Sequence, residues 1–238
     1  MPMIHAISDL HLSLNADKPM HIFGPRWQNH ADKLRSRWCA LVNPEDTVVI
    51  PGDISWAMSL PEAEADFRFI ESLPGKKLIG KGNHDFWWTS AAKMRKTLDL
   101  WGVTSVQFLH NNAYRVEDKV ICGSRGWFIE EKQQNTVGPV DYEKLVNREC
   151  TRIDLSLTEG EKLGDESTET LLFLHFPPTY GDFTCDPIID VLIKHRVTQC
   201  FYGHIHGNYT YPQKTEYRGI TFTMISADYL DFYPMRVK

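Results

Sequence analysis

Seven short apolar runs, rich in β-branched residues and each closing on a glycine or a polar cluster, constrain this chain more than any other feature. They fall at 4–8, 47–51, 77–80, 120–124, 171–175, 199–203 and 220–226. Several are almost continuously apolar, the pattern of strands buried on both faces. Helical stretches separate them. One covers 32–42, another 60–72 with Pro61 in its first turn, and a third 90–101, ending at Gly102. A fourth, 141–163, sets Val146, Cys150, Ile153 and Leu157 along a single stripe. Strands alternating with helices predict an α/β chain, with layers of helix, sheet and helix.

The bulk properties narrow the class. With 238 residues, of which 42% are hydrophobic, the chain can bury a sizeable core and has no span for a membrane. No repeat or flexible linker divides it, so a single domain over 1–238 is expected, with 141–163 as a helical insertion. The start, "MPMIHAISDLHLS", lacks a basic segment followed by an apolar run, which argues against a secretory signal. Cys39, Cys122, Cys150, Cys185 and Cys200 are odd in number and widely spaced. That argues against a disulfide framework or a thiolate zinc site and for a reducing cytoplasm. A net charge of −5 argues against nonspecific nucleic-acid binding.

Chemistry-bearing side chains gather where the runs end. Asp9 and His11 follow the first, Asp53 the second, and Asn83, His84 and Asp85 the third. His175 closes "LLFLH", while His204 and His206 follow "CFYG". Loops at strand carboxyl ends form the usual ligand crevice of such sheets. Asp-x-His and His-x-His place two donors on one side of an extended segment. Any one of these histidines alone reads as an ordinary core or surface residue; all of them at successive strand ends read as a site. The set Asp9, His11, Asp53, Asn83, His175, His204 and His206 offers oxygen and nitrogen without sulfur, which suits zinc, manganese or iron. Seven donors exceed one tetrahedral ion but suffice for two ions, held roughly 3.5–4 Å apart in such sites. An amide at Asn83 also keeps the pocket cationic, since two divalent ions, two aspartates and a hydroxide leave one positive charge.

In order along the chain, "DLH", "GD", "GNHD", a lone histidine after an apolar strand and "GHIH" resemble the calcineurin-like metallophosphoesterase family. The resemblance implies two mixed β-sheets packed as a sandwich and flanked by helices. It also implies one metal ion on Asp9, His11 and His206, another on Asn83, His175 and His204, and Asp53 bridging them. His84 would meet the substrate and protonate the leaving oxygen, with Asp85 orienting it. The reaction implied is hydrolysis of a phosphate ester by a metal-bridging hydroxide, leaning to phosphodiesters. Alternatives are a phosphomonoesterase, a protein phosphatase or a metal-bearing binding scaffold. "GDISWAM" and "GNHD" depart from the protein-phosphatase branch, which carries an arginine after GD and a glutamate in the next motif. The partner expected is a phosphate-ester substrate, with no membrane, and with nucleic acid only as a phosphodiester substrate.

Three further readings complete the set. Arg125, in "GSRGW", could hold a phosphate with its planar fork. Arg148 and Arg152 share the polar face of 141–163 with Glu149, which reads as a solvated, ion-paired surface. Phe86, Trp87 and Trp88 read as core packing beneath the histidine loop.

Overall fold

The computed structural model describes residues 2–127, 139–165 and 167–237. Its first part runs β1 (Ile4–Ala6), α1 (His30–Leu41), β2 (Thr47–Ile50), α2 (Glu64–Glu71), β3 (Lys76–Ile79), α3 (Ala91–Trp101) and β4 (Val106–Phe108). Then come β5 (Asn112–Val116), β6 (Lys119–Ser124), α4 (Pro139–Glu161), β7 (Glu169–Leu174), β8 (Thr179–Tyr180) and β9 (Phe183–Thr184). The chain closes with α5 (Asp186–Lys194), β10 (Gln199–Tyr202), β11 (Lys214–Tyr217), β12 (Ile220–Met224) and β13 (Met235–Val237).

The strands form two mixed sheets and a small hairpin, β8–β9. One sheet has the order β13-β1-β2-β3-β4, the other β11-β12-β10-β7-β6-β5. Interior neighbours run parallel, whereas β13, β11 and β5 are antiparallel edges. Ile4, Ala6, Val49 and Leu78 of the first sheet pack against Ile121, Leu171, Phe173 and Phe201 of the second. On the outer face of the first sheet, Val48, Ile50 and Ile79 meet Leu34 and Trp38 of α1, Ile70 of α2 and Leu98 of α3. On that of the second, Cys122, Leu172 and Tyr202 meet Ile153 and Leu157 of α4 and Ile188 of α5. The central strands are thus covered on both faces, which is why their sequences are apolar without alternation. Each aliphatic side chain so buried contributes roughly 1.5–3 kcal/mol.

Local signals set several boundaries. Ser90 caps α3 by accepting the Lys93 amide, and Gly102, at φ 70°, ends it. Pro61 opens a short 3-10 turn that leads into α2. The expected stripe on α4 points inward, with Val146, Ile153 and Leu157 buried. The solvated polar face expected around Arg148 and Arg152 is corrected at Glu149, which is only 1% exposed and takes an ion pair from Arg152 at 2.5 Å. Among Phe86, Trp87 and Trp88, the core expectation holds for Trp87 at 1% exposure and fails for Phe86 at 54%. Trp87 fills the space beneath α2 against Phe67, and the turn through Trp88 leaves Phe86 facing outward.

Candidate metal centre

The carboxyl ends of strands from both sheets converge on one place. After β1, the Ser8 amide donates to Ile225 O, the Asp9 amide to Gly52 O and the His11 amide to Asp53 O. After β10, the Gly203 amide donates to His175 O, and the His204 amide meets both oxygens of Asp9 at 3.0 Å. The backbone is tightly turned here. Asp9, His11, Asp53 and His204 have φ of 61°, 46°, 51° and 70°. Left-handed backbone at a non-glycine residue costs of order 1–3 kcal/mol, and such residues cluster at functional sites. The Asp-x-His pair therefore reaches one point through left-handed turns and not through strand alternation, a correction to the extended geometry inferred from sequence. Gly82 and Gly203 serve close approach: a Cβ on the first would strike the Asp53 side chain, and one on the second Ser8 and Asp9.

Two groups of donor atoms result, each within 4.8 Å of one another: Asp9, His11 and His206, and Asp9, Asp53 and His175. Asp9 is common to both groups, and Asp53 Oδ2 lies 3.7 Å from His11 Nε2 and 3.5 Å from His175 Nε2, within reach of the first group as well. Asn83 Oδ1 lies 2.7 Å from His175 Nε2 and 3.1 Å from His204 Nδ1. All seven residues named from the sequence as candidate ligands are thus brought together.

The chemistry of this cluster fits cations. Burial, then the carboxylates of Asp85 and Asp9, push Asp53 well above the usual carboxylate range. A divalent ion would relieve that crowding of negative charge. Burial also drives His11 and His175 well down, so both rings are neutral and able to ligate. Their Nδ1 atoms are buried with no hydrogen-bond partner. Desolvation opposes a charge on His206, but hydrogen bonds to Asp228 and Asp9 raise it to about 10.

Asp228 was missed in the sequence. It is fully buried after β12 and accepts from His206 Nδ1 at 2.8 Å, the Gly207 amide at 3.0 Å and Tyr209 Oη at 3.1 Å. A carboxylate behind a ligating histidine fixes its tautomer and raises its basicity. The signal available was an acidic residue just past an apolar run, "ITFTMISAD".

His84 stands at the rim. Its amide donates to Asp53 Oδ1 at 2.8 Å, and its ring lies 4.3 Å from Trp56 and 5.6 Å from His11. Burial lowers its pKa, against the pull of Asp9, with the charges of His206 and Lys18 lowering it further. Among the described residues Asp85, expected to orient it, makes its hydrogen bonds elsewhere. The Asp85 carboxylate is fully buried and accepts from the amides of Gly82, Asp53 and Ile54 and from Trp87 Nε1, at 2.8–3.0 Å. It ties the loop after β2 to the loop after β3. Arg125 also stands back: its guanidinium lies over the Phe176 ring at 5.0 Å, and Phe176 in turn packs on His204.

A cavity of about 500 Å³ opens on the cluster, lined by Asp53, His84, Tyr180, His204, Ile205, His206 and Asn208. A somewhat larger cleft, about 600 Å³, lies at the opposite ends of β6, β7 and β10 and holds none of the seven donors.

The sequence model for calcineurin-like phosphoesterases matches residues 2–208. The chain belongs to that family. Its members typically bind two divalent metal ions, and membership points to phosphoric ester hydrolysis as the reaction class. Solved structures agree on the fold. One is phosphopantetheinyl hydrolase from Mycobacterium tuberculosis, at 16% identity and TM-score 0.58, covering 99% of this chain and 95% of that one. Another is a protein of unknown function from Aquifex aeolicus, at 16% identity and TM-score 0.52, covering 99% and 96%. No relative was found among curated proteins. Among the described residues, no helix is long and apolar enough to cross a membrane.

Proposed function

We propose that this calcineurin-like phosphoesterase hydrolyses phosphodiesters at a site where Asp9, His11 and His206 would hold one metal ion, Asn83, His175 and His204 would hold a second, and Asp53 would serve both. The observation that carries this reading is the position of Asp53 Oδ2, between His11 and His175. When bound, two divalent ions supply an activated water and neutralise phosphoryl charge. The chain's own residues do the rest. His84 faces the cavity and holds a proton for the leaving oxygen. Water adds oxygen to phosphorus and releases a proton to solvent, the bond to the leaving oxygen breaks with its electron pair, and His84 supplies the proton that oxygen takes. Solvent then returns a proton to the imidazole.

The lining favours a diester. Beyond the candidate ligands and His84, the cavity presents Tyr180, Ile205 and Asn208, with no lysine or arginine among its described walls. The second ester group of a diester suits such neutral walls. Arg125 acts in this reading through its charge, from behind Phe176. The helix α4 bounds that flank, where buried Glu149 holds Arg152.

The test compares bis-p-nitrophenyl phosphate with p-nitrophenyl phosphate on protein loaded with manganese, iron or zinc. Faster turnover of the diester is expected. A faster monoester would reassign the substrate, and no turnover of either by protein carrying two ions would leave a binding scaffold.

A further inference from the structure

The rim of the cavity on the His84 side carries exposed aromatic rings. Phe23 and Phe86 are 53% and 54% exposed, although neither closes a core. Phe86 adjoins the site, and Phe23 lies beside Lys18, which sits over Trp56. Phe86 lies 6.3 Å from the His84 ring, edge to face, and Trp56 lies 4.3 Å from it on another side. Trp56 also stacks on His11 at 5.0 Å and 22°, and its indole N–H donates to Met20 Sδ, so the indole cannot swing away without losing both. Lys18 completes the group: its ammonium lies 4.4 Å above the Trp56 ring and 5.8 Å from that of Phe23. A cation held over an aromatic face occupies that face and keeps its charge at the surface, so the rings left open to an apolar ligand are the exposed Phe23 and Phe86.

A general acid has to stand beside the oxygen that departs. The alcohol half of the substrate therefore leaves on the His84 side, over the rings that flank it. We propose that Phe23, Trp56 and Phe86, with Lys18 above the first two, form the subsite for the leaving alcohol, and that this alcohol has an apolar body bearing an anionic group. The proposal rests on the phosphodiesterase reading and on the placement of His84 as acid. It adds the chemistry of the group released: flat or extended apolar surface against the exposed rings of Phe23 and Phe86, and a carboxylate or phosphate at Lys18.

Two measurements test it. The first compares methyl phenyl phosphate, methyl 2-naphthyl phosphate and the 6-carboxy derivative of the latter, whose leaving groups have similar acidity. The naphthyl ester should exceed the phenyl ester in kcat/KM by roughly five- to tenfold, from the added buried ring surface. The carboxylate should add up to about a further fivefold, the scale of an exposed ion pair. Phe23→Ala and Phe86→Ala should each reduce the first ratio, and Lys18→Gln should remove the second, in protein whose metal content is unchanged. The second measurement needs no turnover: 6-hydroxy-2-naphthoate binding, followed by its fluorescence anisotropy, should weaken in the same variants. Equal rates for phenyl and naphthyl esters, or ratios untouched by the variants, would overturn the subsite. Binding of the naphthoate without hydrolysis of any ester would retain the subsite and overturn the phosphodiesterase reading. A dimer in solution that Phe23→Ala or Phe86→Ala dissolves would show the rings to be covered by a second copy, which also overturns it.

Discussion

At the scale of single residues, the proposed reaction gives His84 the chemistry and Asp228 the support. His84→Ala should retain both ions and lose roughly 10²–10⁴ in turnover, the range for general acid catalysis. The loss should be greater for a phenyl ester than for a p-nitrophenyl ester, because p-nitrophenolate departs without a proton; steady-state rates on both esters check this. The sign of the pH effect follows from the lowered pKa of His84. An acid works while protonated, so its contribution is present at low pH and is lost as pH rises through a value below 6.5. The profile of kcat/KM should therefore fall on an alkaline limb that is absent in His84→Ala. Asp228→Asn should leave the phosphoryl-facing groups in place but weaken metal affinity by about 10–100-fold, the usual effect of removing a carboxylate behind a metal-bound histidine. Competition with a calibrated chelator measures it. The local motif made His84 legible before the fold was known, since it lies between Asn83 and Asp85. Asp228 was not legible, because it lies 22 residues beyond His206 and meets it only when β12 lies beside β10.

At the scale of elements, the site is held by loops that grip one another. Asp85 shows how this works. Its carboxylate takes amides from the loop after β2 and from the loop after β3, so one side chain sets the distance between Asp53 and Asn83. In Asp85→Asn, one amide N–H₂ would face backbone donors, leaving buried N–H groups unpaired at roughly 1–3 kcal/mol each. Both ions should then weaken together, and the thermal midpoint of the metal-loaded protein should drop by several degrees; metal analysis and calorimetry give the two readouts. Loss of turnover with both ions and the midpoint intact would return Asp85 to the His84-orienting role inferred from sequence. Parallel interior strands were readable as apolar runs because both of their faces are covered. The edges β5, β11 and β13 were not readable, since their outward residues are polar, as in "KTEY", and their pairing comes from a distant neighbour. The helix α5 was hidden too. Nine residues beginning Asp186-Pro187, with an apolar run behind them, fit strand and helix alike until Ile188, Ile189 and Leu192 find the second sheet.

At the scale of the whole molecule, two sheets share one centre, and this joint ownership should appear in metal binding and in stability. Metal analysis of protein kept in metal-sufficient buffer should find close to two ions per chain, and Asp53→Asn should lower both occupancies. A stoichiometry that stays at one after supplementation would be incompatible with the proposed pair. Because ions bind the folded chain and not the unfolded one, a chelator should lower the thermal midpoint. The chelated protein should also lose stability as pH rises from 6.5 toward about 10. Over that window folded His206 keeps a proton that unfolded His206 has released, so the unfolded state binds fewer protons and folding weakens with pH. Denaturant midpoints across that range test the slope. The sequence by itself determined the layered α/β class, the buried strands and the seven candidate donors, because each lies at the end of an apolar run and its side-chain chemistry is local. Only the tertiary structure decided how they meet: the left-handed turns at Asp9, His11, Asp53 and His204, the clamp of Asp85, the support of Asp228 and the ring-lined rim at Phe23, Trp56 and Phe86. These depend on contacts between segments far apart in the chain, whose geometry arises only when two sheets are pressed face to face.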